Sequence, residues 1–89
     1  MSLTDNFQEA SERIRGLSKK PDNDTLLSLY SLFKQGSIGP AEGKRPGRLQ
    51  MVARAKFDSW AELGDMSCEK AMQEYIALVD KLLEQDRLS

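Results

Sequence analysis

Tyr30 and Lys34 stand four residues apart, and Lys56 and Trp60 repeat that spacing. On helices, each pair sets a cation beside a ring on one face. Phe33 and Phe57 adjoin the two lysines, diverging from them by roughly 100° around a helix. Between Lys34 and Lys56 inclusive there are six positive charges and one acid, Glu42, whereas the remainder carries seven positives and thirteen acids. A chain of net charge −1 therefore holds a local cationic face flanked by rings. Ammonium groups are strong point charges for phosphate, and each charge-assisted hydrogen bond contributes about 1.5–3 kcal/mol. Ring faces take a base by stacking, worth about 1–3 kcal/mol in nucleic-acid examples. If the two segments lie side by side, Lys34 and Lys56 converge on one anionic group, with the Tyr30 hydroxyl as a further donor. The chemistry these residues suit is non-covalent capture of a nucleotide-bearing ligand.

Positioning them requires helices. Leu3, Phe7, Ala10, Ile14 and Leu17 recur at steps of four, three, four and three, the pattern of one helical face. Thr4 or Asp5 suits the cap of that helix and Gly16 its end. Lys19 to Asn23 breaks the pattern, and Asp22 is placed to cap a second helix. That helix carries Leu26, Leu27, Leu29, Tyr30, Leu32 and Phe33, a band wide enough for two neighbours, and is expected to stop near Gln35-Gly36. Four glycines and two prolines from Gly36 to Gly47 read as a loop. Leu49, Met51, Val52, Ala55, Phe57, Trp60, Ala61 and Leu63 return to helical spacing, with Gly64 beyond as a stop. Ser67 suits the cap of a last helix whose inner face is Ala71, Met72, Tyr75, Ile76, Val79, Leu82 and Leu83. There is no strand-like alternation and no internal repeat. The expected architecture is all-α, a four-helix bundle in a single domain over residues 1–89.

Composition removes several classes. Eighty-nine residues leave little core to spare for an elaborate active site. Near-balanced charge argues against a dedicated DNA-binding protein. No apolar run is long enough for a membrane span, and residues 1–6 show no signal-peptide pattern. The single cysteine, Cys68, excludes an internal disulfide and fits a reducing compartment, hence a cytoplasmic protein. Histidine is absent, which removes the commonest general base and a common metal ligand. Neither a metal nor a catalytic set is expected. A compact binding module is the class that survives.

The same residues also have plain structural uses. Trp60 suits the core, because burying an indole is a large share of a small domain's stability. Phe33 and Phe57 fit an inner face as well as a ligand. Tyr75 falls on the apolar stripe of the last helix, where a buried ring with its hydroxyl at the rim serves both purposes. Arg45-Pro46-Gly47 reads as a turn leading into the third helix, with Pro46 fixing φ. The methionines at 51, 66 and 72 suit core filling.

Taken together, the residues resemble the acyl-CoA-binding protein family over almost the whole chain. The likeness begins around Phe7, Ala10 and Ile14 and continues through Lys20-Pro21, Leu27, Tyr30-Ser31-Leu32-Phe33-Lys34-Gln35 and Gly39. It then takes in Arg45-Pro46-Gly47, Ala55-Lys56-Phe57-Asp58-Ser59-Trp60, Ala71-Met72 and Tyr75-Ile76. The combination of blocks is highly specific, although any one alone is weak. The resemblance implies a bundle of up-down-down-up topology that binds fatty acyl-CoA. It assigns Tyr30, Lys34 and Lys56 to the ribose 3′-phosphate, and Phe33 and Tyr75 to the adenine end. Arg15, the basic residue at the end of the first helix, is a further ligand contact on the same basis. The acyl chain is expected in an inter-helix groove. The implied role is carriage and pooling of medium- to long-chain acyl-CoA by a monomer that delivers to acyl-CoA-using enzymes, with no nucleic acid, no stable membrane insertion and no cofactor.

Three positions depart from the family pattern. Phe33 stands where a tyrosine is common, Phe57 where the block usually has its first tryptophan, and Val52 where a lysine is common. The first loses a hydroxyl and the last a cation, which bears on affinity and chain-length preference. Arg48 and Arg54 are candidates to compensate. Two other classes stay open: a thioester hydrolase, against which stand the missing histidine and small core, and a protein–protein or nucleic-acid module using the basic loop 36–48.

Overall fold

The computed structural model describes residues 2–88, so Met1 and Ser89, the ends of the expected 1–89 domain, lie outside the described residues. Four α-helices follow one another: α1 Leu3–Arg13, α2 Asn23–Ser37, α3 Met51–Ala61 and α4 Cys68–Leu88. No strand occurs among the described residues. Ser2, rather than Thr4 or Asp5, caps α1, its Oγ accepting from the Asp5 N–H at 3.1 Å. All three are capping types within three residues of one another, so spacing alone did not separate them. Asp22 caps α2 as expected, accepting from the Thr25 N–H at 2.8 Å, and the Thr25 side chain, with that backbone bond second, holds its carboxyl below the ordinary range. Ser67 caps α4 through the Lys70 N–H at 3.1 Å.

Phe7, Ala10, Leu29, Leu32, Ala71, Tyr75 and Val79 form one buried cluster contributed by α1, α2 and α4. Phe7 meets Tyr75, Arg13 pairs with Asp80 at 3.2 Å, and Ser18 bonds to Asp86, so α1 and α4 run in the same sense. The last turn of α2 lies between Phe7 and Met72, near the starts of both, so α2 runs against them. Across the α2/α3 seam, Met51 and Val52 share a groove with Asn23 and Leu26, while Trp60 reaches the far end of α2. The two middle helices are therefore parallel, giving up-down-down-up order. A 15-residue α2 is about 22 Å long, a span that the extended loop after it covers before α3 begins.

Two expectations about the elements are corrected. The periodic run of the first helix ends early: Ile14–Gly16 tightens into a 3-10 turn, and Leu17 lies in extended backbone beyond it. Gly36 does not stop α2, which continues through Ser37. Gly36 is buried, and a Cβ there would sit 3.0 Å from Phe7 Cζ and 3.2 Å from Met72 Cγ. The glycine thus permits close approach of three helices, and the chain reverses at Gly39 instead, where φ is +105°. We expect Gly36→Val to cost about 2 kcal/mol or more through overpacking, read from urea unfolding midpoints at unchanged m-value.

Candidate functional site

α3 has no share in the main core cluster and packs against α2 alone among the described helices. Its one buried side chain is Trp60, whose indole N–H donates to the Gly39 carbonyl at 2.9 Å. Phe57 meets the Trp60 ring edge-on at 6.3 Å, and the Ser59 hydroxyl donates to the Leu27 carbonyl at 3.3 Å. The loop before α3 is tied down by Arg45, whose guanidinium forks onto both Asp58 oxygens at 2.8 and 2.6 Å. That bond raises Arg45 and holds the Asp58 carboxyl below its ordinary range, with the Arg54 charge adding a smaller pull on Asp58. On the other side, Gln35 is wholly buried and donates from Nε2 to the Gly64 and Met66 carbonyls at 3.0 and 2.9 Å, pinning the α3–α4 connection to α2. Its Oε1 has no partner among the described residues.

These ties leave a groove of about 690 Å³ between α2 and the first half of α3. Leu26, Leu27, Met51, Val52 and Ala55 give it an apolar lining, while Lys20, Tyr30 and Lys56 supply its polar groups. The Lys56 ammonium lies over the Tyr30 ring at 5.3 Å from the centroid, and that of Lys34 lies over the Trp60 ring at 5.0 Å. Cation–π contact of this kind contributes about 0.5–1 kcal/mol at exposed sites. Neither lysine pairs with an acid among the described residues. Two cations thus sit one helical turn apart along the seam, held over rings and without counter-charge.

The remaining predicted residues gather on a different face of α2. Phe33 stacks on Phe7 at 5.3 Å and 23°, and Tyr75 meets Phe7 and Phe33 at 5.1 and 5.7 Å. Phe33 stays half-buried, whereas Tyr75 is buried. Burial pushes the Tyr75 phenol above its ordinary range, and the charge of nearby Arg15 partly offsets that shift. Arg15 itself is exposed in the 3-10 turn after α1. The predicted set therefore forms two groups: Tyr30, Lys34 and Lys56 at the α2/α3 seam, and Arg15, Phe33 and Tyr75 over the α1/α2/α4 aromatic cluster. The helical divergence of Phe33 from Lys34 lets α2 serve both.

Sequence reasoning left two things out. The first is the Arg45–Asp58 fork: thirteen residues separate the pair, and no periodicity links them. It also removes Arg45 from the cations free to meet a ligand. The second is the inward use of Gln35, signalled only by its place three residues after Leu32 on the apolar band. Met51, which suits core filling by type, instead points outward at 77 % exposure, and Leu49 and Val52, which fit the helical spacing beside it, are 98 % and 71 % exposed. With α2 as its only neighbour, α3 has no second surface to bury them. Leu49 also precedes the helix.

Comparison with known proteins agrees with the fold. The family model for acyl-CoA-binding protein matches residues 4–79. The acyl-CoA-binding protein of Brassica napus is 40 % identical over 89 residues, covering all of this chain and 97 % of that protein. The Saccharomyces cerevisiae acyl-CoA-binding protein is 42 % identical over 77 residues, 86 % of this chain and 88 % of its own. The crystal structure of Oryza sativa acyl-CoA-binding protein 2 superposes with a TM-score of 0.94 at 36 % identity, over 99 % of this chain and 98 % of that one. The all-α bundle and its cation-lined, apolar inter-helix groove are of the kind that these binding proteins share. The chain belongs to the acyl-CoA-binding protein family. No helix among the described residues is long and apolar enough to cross a membrane, and no described group of acidic or cysteine residues forms a metal site.

Asp58 provides a test of the loop tie. Its carboxyl pKa is lowered by folding, so its stabilisation is present above the ordinary carboxylate value near 3.9 and is lost as pH falls below it. Asp58→Asn is expected to lower the melting temperature by a few degrees at pH 7, the gap from wild type closing in strong acid.

Proposed function

We propose that this protein binds medium- to long-chain fatty acyl-CoA without catalysing a reaction on it. The chain then acts as a single acyl-CoA-binding domain over residues 1–89, a cytoplasmic monomer that pools the ligand and hands it to acyl-CoA-using enzymes. The observation that carries the reading is the α2/α3 groove, whose apolar walls meet Tyr30 and the unpaired Lys56 cation. In this reading Lys34, Lys56 and the Tyr30 hydroxyl hold the ribose 3′-phosphate. Phe33 and Tyr75 meet the adenine end, with Arg15 beside them.

The energetics divide the work. Each buried methylene contributes roughly 0.8 kcal/mol, so a long chain supplies about 10 kcal/mol before ordering costs. The groove does not distinguish a fatty acid from its thioester; the cations do. Affinity rises with chain length, and selectivity for the CoA ester comes from the headgroup. Phe33 keeps a ring face for stacking without a hydroxyl. Val52 extends the apolar wall at the groove's outer lip, in place of the cation common in the family.

Calorimetric titration with palmitoyl-CoA, CoA and palmitate tests this directly. Tight one-to-one binding is expected for the thioester only, weakened roughly tenfold to a hundredfold by Lys34→Ala and by Lys56→Ala. Equal affinity for palmitate, or release of free thiol during incubation, would overturn it.

A further inference from the structure

The connector between α1 and α2 is strapped to the last turn of α4 through Ser18. Its hydroxyl donates to Asp86 Oδ1 at 2.5 Å, and its backbone N–H reaches both Asp86 carboxylate oxygens at 3.3 Å. Ser18 is nonetheless exposed. The turn before it, Ile14–Gly16, is a single 3-10 turn with no side-chain cap. Short turns of this kind have poorer hydrogen-bond geometry and open locally. Two guanidiniums precede the serine: Arg15 three residues before it and Arg13 five residues before it, in the run Arg13-Ile14-Arg15-Gly16-Leu17-Ser18. Both are exposed. Arg15 forms no salt bridge among the described residues, and Arg13 shares only an exposed pair with Asp80, a contact that contributes little to stability. Arginines at these offsets are what an acidic peptide groove grips in a serine substrate, because a guanidinium forks onto a carboxylate in fixed geometry.

We propose that Ser18 is a phosphorylation site for a basophilic serine kinase, and that the phosphate releases the connector from α4 and weakens ligand binding. The effect on the ligand rests on the acyl-CoA reading above; the site and the release do not. In the transfer, Ser18 Oγ attacks the γ-phosphorus of ATP. The new O–P bond forms as the bond to the bridging β-phosphate oxygen breaks, ADP leaves, and the hydroxyl proton passes to the kinase's carboxylate base. The group that donated to Asp86 is then a phosphate carrying nearly two negative charges, facing a carboxylate. A hydrogen bond is replaced by repulsion, and the connector leaves α4. Lys20, two residues on, lines the α2/α3 groove, and Arg15 lies three residues back beside the aromatic cluster. Each is within about 11 Å of chain from Ser18. That span is comparable to the screening length at physiological salt, so the phosphate lowers the positive potential that an anionic headgroup meets.

Incubation of the folded protein with ATP and a basophilic kinase that selects arginine three and five residues before its serine, read by intact mass and fragment mapping, tests the site. One phosphate is expected, on Ser18, with none in Ser18→Ala and a rate about tenfold lower in Arg15→Gln. No incorporation at Ser18, or an unchanged rate in Arg15→Gln, would overturn the proposal. The phosphorylated protein should exchange the amide hydrogens of the connector faster and melt several degrees lower. Asp86→Asn should remove most of that difference, because the repulsion goes with the carboxylate; an equal drop in wild type and variant would contradict release through Asp86. Palmitoyl-CoA affinity is expected to fall about fivefold on phosphorylation. Equal affinity of the two forms would overturn the effect on the ligand. Failure of the unmodified protein to bind palmitoyl-CoA would count against the proposed ligand instead, while mass, exchange and melting would still decide the site and the release.

Discussion

The indole of Trp60 is the contact on which the α2/α3 region depends. α1, α2 and α4 build a core without α3, so the third helix must be held from one side. Trp60 does this by burying its ring and donating to the Gly39 carbonyl, which fixes the end of α3 against the point where the chain leaves α2. The Arg45–Asp58 fork and the Ser59–Leu27 bond secure the same half of the helix. All three ties are at or beyond Asp58, leaving the first two turns of α3 standing off α2. The groove is the space they leave.

The same contact organises the electrostatics. A lysine over a buried indole and another over a tyrosine ring are held by the negative faces of the rings rather than by carboxylates. Rings position an ammonium without neutralising it, so both charges remain available to a phosphate. The ion pairs among the described residues use other cations: Asp58 pairs with Arg45, Asp80 with Arg13, Glu74 with Lys70 and Glu84 with Arg87. Fixed cations beside an apolar trough make a surface for a ligand charged at one end and apolar at the other.

Much of this was legible in the sequence. Helical periodicity located four helices because each has an apolar face, and Asp22 and Ser67 announced their caps by type and position. The misreadings are of one kind. Gly36 looked like a stop because glycine is helix-averse, but the tertiary need for a close approach to Phe7 and Met72 decided its place. Met51 suited core filling, and Leu49 and Val52 fit the period beside it, yet a period reports only that residues share a face, not that anything covers it. Gln35 and the Arg45–Asp58 fork depend on segments brought together by the fold, and local pattern carries no trace of them. The candidate site was legible where it rests on i, i+4 pairs. Its division between the seam and the aromatic cluster needed the helix packing.

A crystal structure with hexadecanoyl-CoA tests the central claim most directly, that the α2/α3 seam joins a phosphate site to an apolar trough. The account predicts a phosphate within hydrogen-bonding reach of Lys34, Lys56 and the Tyr30 hydroxyl, with the acyl chain against Leu26, Leu27 and Ala55. A ligand whose phosphates lie away from both lysines, or whose chain lies outside the groove, would contradict it.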